Sequence, residues 1–131
     1  MIASSVVGVI AQRLVRMVCR NCKATYEPEP QVLEELGVAR ESRKAEVLFA
    51  RGAGCSACGG RGFRGRTGVF EVLRMSDSIR RLVMEGRSAV EVEEAAVGQG
   101  MMLMQECGVR KVMEGITSPE EVMRVVYVEE D

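Results

Sequence analysis

Apolar residues fall along this chain in short bursts, and the rhythm of the bursts changes from one end to the other. Near the N-terminus Val6, Val7, Ile10, Leu14, Met17 and Val18 keep a roughly helical spacing, with Ser4 or Ser5 placed to cap it. That pattern predicts a helix within residues 1–18. Cys19 to Cys22 interrupts it. Lys23 to Glu27 reads as a short strand stopped by Pro28 and Pro30, and Gln31 to Leu36, closed by Gly37, as a short helix. Residues 39–46 form a polar linker. Val47 to Ala50 is a second short strand leading into Gly52, Gly54 and Cys55. From Thr67 to Leu73 bulky residues alternate with small or polar ones, as a strand requires.

The last third is helical in character. Ser76 can cap a helix carrying Ile79, Leu82 and Val83 on one face and ending at Gly86. Ser88 and Glu91 are spaced as a capping box opening a helix to about Val97. Met101 to Glu114 is another, stopped at Gly115. Ser118-Pro119-Glu120-Glu121 combines an N-cap, proline at the first helical position and early carboxylates that suit the helix dipole. The expected fold class is α+β, mostly α. A small tetracysteine zinc-knuckle subdomain with short strands (19–66) sits between the N-terminal helix (1–18) and a strand plus a bundle of short helices (67–131).

Composition removes many functions. The 131 residues are 47% apolar and 28% charged, a globular balance, and the net charge of −1 offers no basic excess for nucleic acid. Aromatics are 4% and tryptophan is absent, so stacking platforms for single strands are few. Histidine is absent, which excludes a Ser-His-Asp triad, a Cys-His pair and any imidazole metal ligand. The first apolar run lacks the basic flank of a signal peptide, and it breaks at Gln12-Arg13, far short of a membrane span. The chain reads as cytoplasmic and reducing, where five cysteines, an odd number, suit free thiols or a metal better than disulfides.

The cysteines carry the chemistry. Cys19-x2-Cys22 and Cys55-x2-Cys58 each place two thiolates on one turn, and two such turns supply the four ligands of a closed structural zinc site. Rubredoxin-like iron uses a similar arrangement. Neither pair opens a helix after a core strand, which argues against a dithiol redox role. Arg20, Lys23, Arg51, Arg61 and Arg64 lie close by in sequence and favour thiolates. Four cysteines leave no open position for a substrate, so the site stabilises rather than catalyses. Cys107 reads as a buried apolar thiol.

Three further patterns overlap the second pair. Gly60-x-Gly62-x-x-Gly65 spells a dinucleotide fingerprint, but it follows a knuckle and precedes a strand, where the fingerprint needs a helix. The glycines instead let the backbone approach the sulfurs. CSACGGRG fits the repeat of DnaJ-type chaperone zinc domains locally, and CRNCKATY is not a second copy. Arg64 and Arg66 are either solvated cations offsetting the metal site or groups presented to a neighbouring subunit or a nucleotide phosphate.

VVGVIAQRLVRMVCRNC, GCSACGGRGFRGRTGVFEVL and GITSPEEVMRV together resemble the C-terminal part of the type II secretion and type IV pilus assembly ATPases. The resemblance implies that residues 1–18 close a P-loop ATPase core and that Cys19, Cys22, Cys55 and Cys58 bind zinc. It also implies a hexameric motor, peripheral to the inner membrane, that docks on platform proteins and uses ATP and Mg²⁺. The only lysines are Lys23, Lys44 and Lys111, and none stands in a Gly-Lys-Ser/Thr context. The chain alone is therefore expected not to be an enzyme but an excised C-terminal fragment, with apolar surface around Val6 to Ile10 left uncovered. The rival readings are a stand-alone structural-zinc adaptor and a rubredoxin-like electron carrier.

Overall fold

The computed structural model describes residues 5–38 and 48–127; the predicted linker 39–46 and Val47 lie outside them. The fold is mixed α and β, with helix taking 39% and strand 27% of the described residues, so helix leads without being most of the chain.

The N-terminal segment corrects the sequence reading. Gly8–Val18 is a strand, β1, and not a helix. Its valines and isoleucine (Val9, Ile10, Val15, Val18) lose less side-chain freedom in an extended chain than in a helix. The partner that decides the matter is remote in sequence. β1 pairs with the long strand β4, Phe63–Arg74, in a two-stranded sheet. Bonds from Met75 N–H to the Val7 carbonyl and from Cys19 N–H to the Gly62 carbonyl set an antiparallel sense. Val7, just before β1, and Ile10 and Leu14 on it are exposed, at 83%, 68% and 50%.

Two compact units make up the chain. One gathers residues 13–69 and 105–131. Its core is Val15, Val18, Leu33, Leu36, Phe49, Ala50, Val69, Val112, Val122 and Val126, all buried. Here the strands β2, Lys23–Tyr26, and β3, Phe49–Gly52, pair antiparallel with Lys23 opposite Gly52 and Tyr26 opposite Phe49. Helix α1, Pro30–Glu35, lies between them in sequence and starts on Pro30 at a position where a missing N–H costs nothing.

The other unit gathers residues 1–12 and 70–104. It contains α2, Asp77–Met84, and α3, Ala89–Gly98, around Ile79, Ala96 and Met104. Both helices start as the sequence indicates: the Ser76 hydroxyl accepts from Ile79 N–H and the Ser88 hydroxyl from Glu91 N–H. In the first unit α4, Met104–Met113, and α5, Pro119–Val125, follow, the latter capped by the Ser118 hydroxyl accepting from Glu121 N–H.

Candidate metal centre

The β2–β3 pairing explains how knuckles 32 residues apart in sequence meet. Cys22 immediately precedes β2 and Gly54-Cys55 closely follow β3, so an antiparallel ladder brings both to one end of the ribbon. The Ala53 N–H donates to the Cys22 carbonyl at 3.2 Å and closes that end. Cys55 then enters a single 3-10 turn, Ser56–Cys58, which returns Cys58 to the first knuckle.

The four sulfurs of Cys19, Cys22, Cys55 and Cys58 all lie within 4.8 Å of one another. Cys19–Cys55 and Cys22–Cys58 are 3.8 Å apart, and Cys55–Cys58 is 3.7 Å. A tetrahedron of thiolates about 2.3 Å from a zinc ion has edges of about 3.8 Å. The donor set thus has the size and composition a tetrahedral metal requires. Cys19 and Cys58 are buried and Cys22 and Cys55 half-buried, with none in a disulfide.

Backbone and side-chain amides surround these sulfurs. Gly54 N–H donates to Cys22 Sγ at 3.3 Å, Cys55 N–H and Gly62 N–H to Cys58 Sγ at 3.3 and 3.2 Å, and Asn21 Nδ2 to Cys55 Sγ at 3.2 Å. The thiols respond unequally. Burial pushes the Cys22 thiol up to about 11, only partly offset by the Gly54 amide. At Cys55 the Asn21 amide leads in holding the thiol below its usual range. Burial acts to raise Cys58, and the Cys55 and Gly62 amides outweigh it, bringing it down to about 6. Stabilised thiolate is the form that binds metal.

The glycines serve close approach, as their context indicates. Gly62 has φ of 80°, and a Cβ there would stand 2.5 Å from the Gly52 carbonyl oxygen. The backbone of the second knuckle therefore lies directly on the end of β3, and only glycine permits it. A strand, not a helix, follows Gly65, so the fingerprint geometry for a pyrophosphate is missing.

Arg64 and Arg66 are exposed on β4. With Arg16, Cys58, Gly59, Arg61 and Phe63 they line a cavity of about 400 Å³ beside the second knuckle. Cys107 is half-buried on α4, apart from the cluster.

Sequence reasoning missed a second polar centre in this unit. Glu121, assigned to capping and the helix dipole, is 2% exposed. Its carboxylate accepts from the Arg16 backbone N–H at 2.7 Å, from Arg16 Nε and Nη2 at 3.1 Å, and from Arg124 Nε and Nη2 at 3.1 and 2.8 Å. Arg16 also lies over the Phe63 ring, 4.3 Å from its centre. Thr117 Oγ1 donates to the Arg16 carbonyl at 2.7 Å, so α5 and the approach to the first knuckle are fastened together. The only sequence signal was an acidic residue on the buried side of a valine-rich helix.

Four converging thiols on two C-x2-C turns, set in a mixed α/β chain, define a candidate structural-metal protein. A family model described as "Type II/IV secretion system protein" matches residues 1–124, and the chain belongs to that family. It is 40% identical over 122 residues to the type IV pilus assembly ATPase PilB of Thermus thermophilus, covering 93% of this chain and 14% of that protein. It is 39% identical over 127 residues to the type II secretion system ATPase E of Vibrio cholerae, covering 95% and 24%. The type II secretion system protein E of Pseudomonas aeruginosa is 38% identical over 129 residues, 98% of this chain and 25% of that protein. The chain thus spans a quarter or less of the length of these relatives.

Proposed function

We propose that this chain is the metal-stabilised C-terminal portion of a type II secretion or type IV pilus assembly motor. Cys19, Cys22, Cys55 and Cys58 hold one zinc ion, which fixes the end of the β2–β3 ribbon against the turn that launches β4. The observation that carries the reading is the coincidence of a tetrahedral four-sulfur cluster with family membership over 124 residues. ATP and Mg²⁺ belong to the parent ATPase, and this portion contributes structure, assembly of a hexamer and contact with inner-membrane platform proteins, without binding nucleic acid. Residues up to Val18 close the ATPase core, and the exposed apolar side chains Val7, Ile10 and Leu14 are the surface that core covers. Arg66, beside the second knuckle, faces a neighbouring subunit or its nucleotide. The motor works in the cytoplasm at the inner membrane; no helix among the described residues is long and apolar enough to cross a membrane.

The test is ATP hydrolysis and oligomer size of a motor carrying this segment, with the four cysteines intact or changed together to serine. The reading expects the serine variant to lose its metal, its assembly and most of its activity. A serine variant that assembles and hydrolyses ATP like the parent rejects it.

A further inference from the structure

A second concavity, of about 630 Å³, opens on the first knuckle and is lined by Met17, Val18, Cys19, Arg20, Asn21, Lys23, Arg64, Gly115 and Ile116. Its charged groups are Arg20, Lys23 and Arg64, all exposed, and among the described residues no acidic side chain lines it. Among the described residues none of the three makes an ion pair or a side-chain hydrogen bond. The metal site does not account for them. A divalent ion with four thiolates carries two negative charges, whereas Arg20, Lys23 and Arg64 in this concavity and Arg61 and Arg66 in the cavity beside the second knuckle bring five positive ones.

We propose that this concavity is a docking site for a segment of a partner protein that carries both carboxylate and aliphatic side chains. Arg20 and Arg64 offer planar forks that match carboxylates, and Met17 and Ile116 supply a half-buried apolar wall beside them. A phosphate group suits the site less well. Phosphate sites draw on helix N-termini, whereas the wall at Gly115–Ile116 follows the C-terminus of α4, the negative end of its dipole. Lys23 Nζ lies close to that end, where a Cβ on Gly115 would stand 2.8 Å from it. The two arginines remain for the partner. The proposal gives chemistry to the partner contact of the preceding section and depends on the same ordered knuckle, so metal content is measured separately.

The experiment titrates the intact 131-residue chain with a fluorescent eight-residue peptide of alternating glutamate and leucine, at two salt concentrations. Arg20→Gln and Arg64→Gln together should weaken binding by about 10-fold, with raised salt weakening the parent more than the variant. Arg87→Gln, distant in the chain and outside the cavity, should leave it unchanged. Unaltered affinity in the double variant, with metal content and circular dichroism intact, overturns the proposal. So does displacement of the peptide by inorganic phosphate at submillimolar concentration, or preferential binding of anionic over neutral vesicles through the same two arginines. Self-association lost in the double variant, read by sedimentation without peptide, would assign the site to a second copy and overturn it as well. Loss of metal in the parent chain, by contrast, refutes the zinc reading and leaves the peptide titration to be judged on its own.

Discussion

Glu121→Gln isolates the buried carboxylate with almost no change of shape. The carboxylate lies at 2% exposure and accepts from both Arg16 and Arg124. Burial acts to raise its pKa, but the Arg16 guanidinium and backbone amide and the Arg124 guanidinium outweigh it and hold it at about 2, against an ordinary 4.5. A difference of that size corresponds to about 3 kcal/mol of stability at neutral pH. Arg16 and Arg124 are 45% and 62% exposed, so water screens part of it and about 2 kcal/mol is expected to remain. The folded pKa is depressed. The contribution is therefore complete above pH 4.5 and is lost as pH falls toward 2. The assay is urea unfolding of parent and variant side by side, from pH 7 downward, followed by circular dichroism. Their stability difference should be flat from pH 7 to about 5 and shrink below 4.5. Acid release of a metal is common to both proteins and cancels in the difference. A loss under about 0.5 kcal/mol at pH 7, or a difference that stays constant below pH 4, refutes the reasoning.

Three further outcomes follow from the same coordinates. Cys58→Ser should abolish high-affinity metal binding and lower the melting temperature of the metal-loaded protein by more than 10 °C, roughly the effect of losing 3 kcal/mol or more; an unchanged transition rejects a structural role for the cluster. Gly62→Ala places a Cβ against the Gly52 carbonyl at a φ of 80°, and should cost about 2 kcal/mol or more, whereas Gly59→Ala, with open space at its Cβ, should cost about 1 kcal/mol; equal losses in urea unfolding would contradict the close-approach argument. Ser118→Ala removes the cap of α5 and should destabilise by about 1 kcal/mol, with the change in thermal unfolding absent if the cap contributes nothing.

The features legible in the sequence were those whose cause is local. The two C-x2-C turns announce themselves by spacing alone, and Ser76, Ser88 and Ser118 mark helix starts because a hydroxyl must satisfy an amide three residues away. What was misread or missed depends on remote partners. Val6, Val7, Ile10 and Leu14 mimic a helical stripe, and nothing within β1 itself reveals β4, more than forty residues on, as the strand that pairs with it. Glu121 looks like an ordinary first-turn carboxylate until Arg16, 105 residues earlier, is brought beside it. The two strands flanking the short helix were legible between the knuckles, and the structure adds their register: Lys23 opposite Gly52 closes the 32-residue interval. Arg64 and Arg66 stood out in sequence, and the structure adds the concavities they line.

The most direct measurement is zinc and iron per chain on protein purified without added metal, alongside a count of reactive thiols. The account predicts one zinc, negligible iron, a colourless solution, and Cys107 as the thiol that reacts before the others. Iron with visible colour would make the chain an electron carrier, and no metal with all five thiols freely reactive in the folded protein would contradict the metal centre itself.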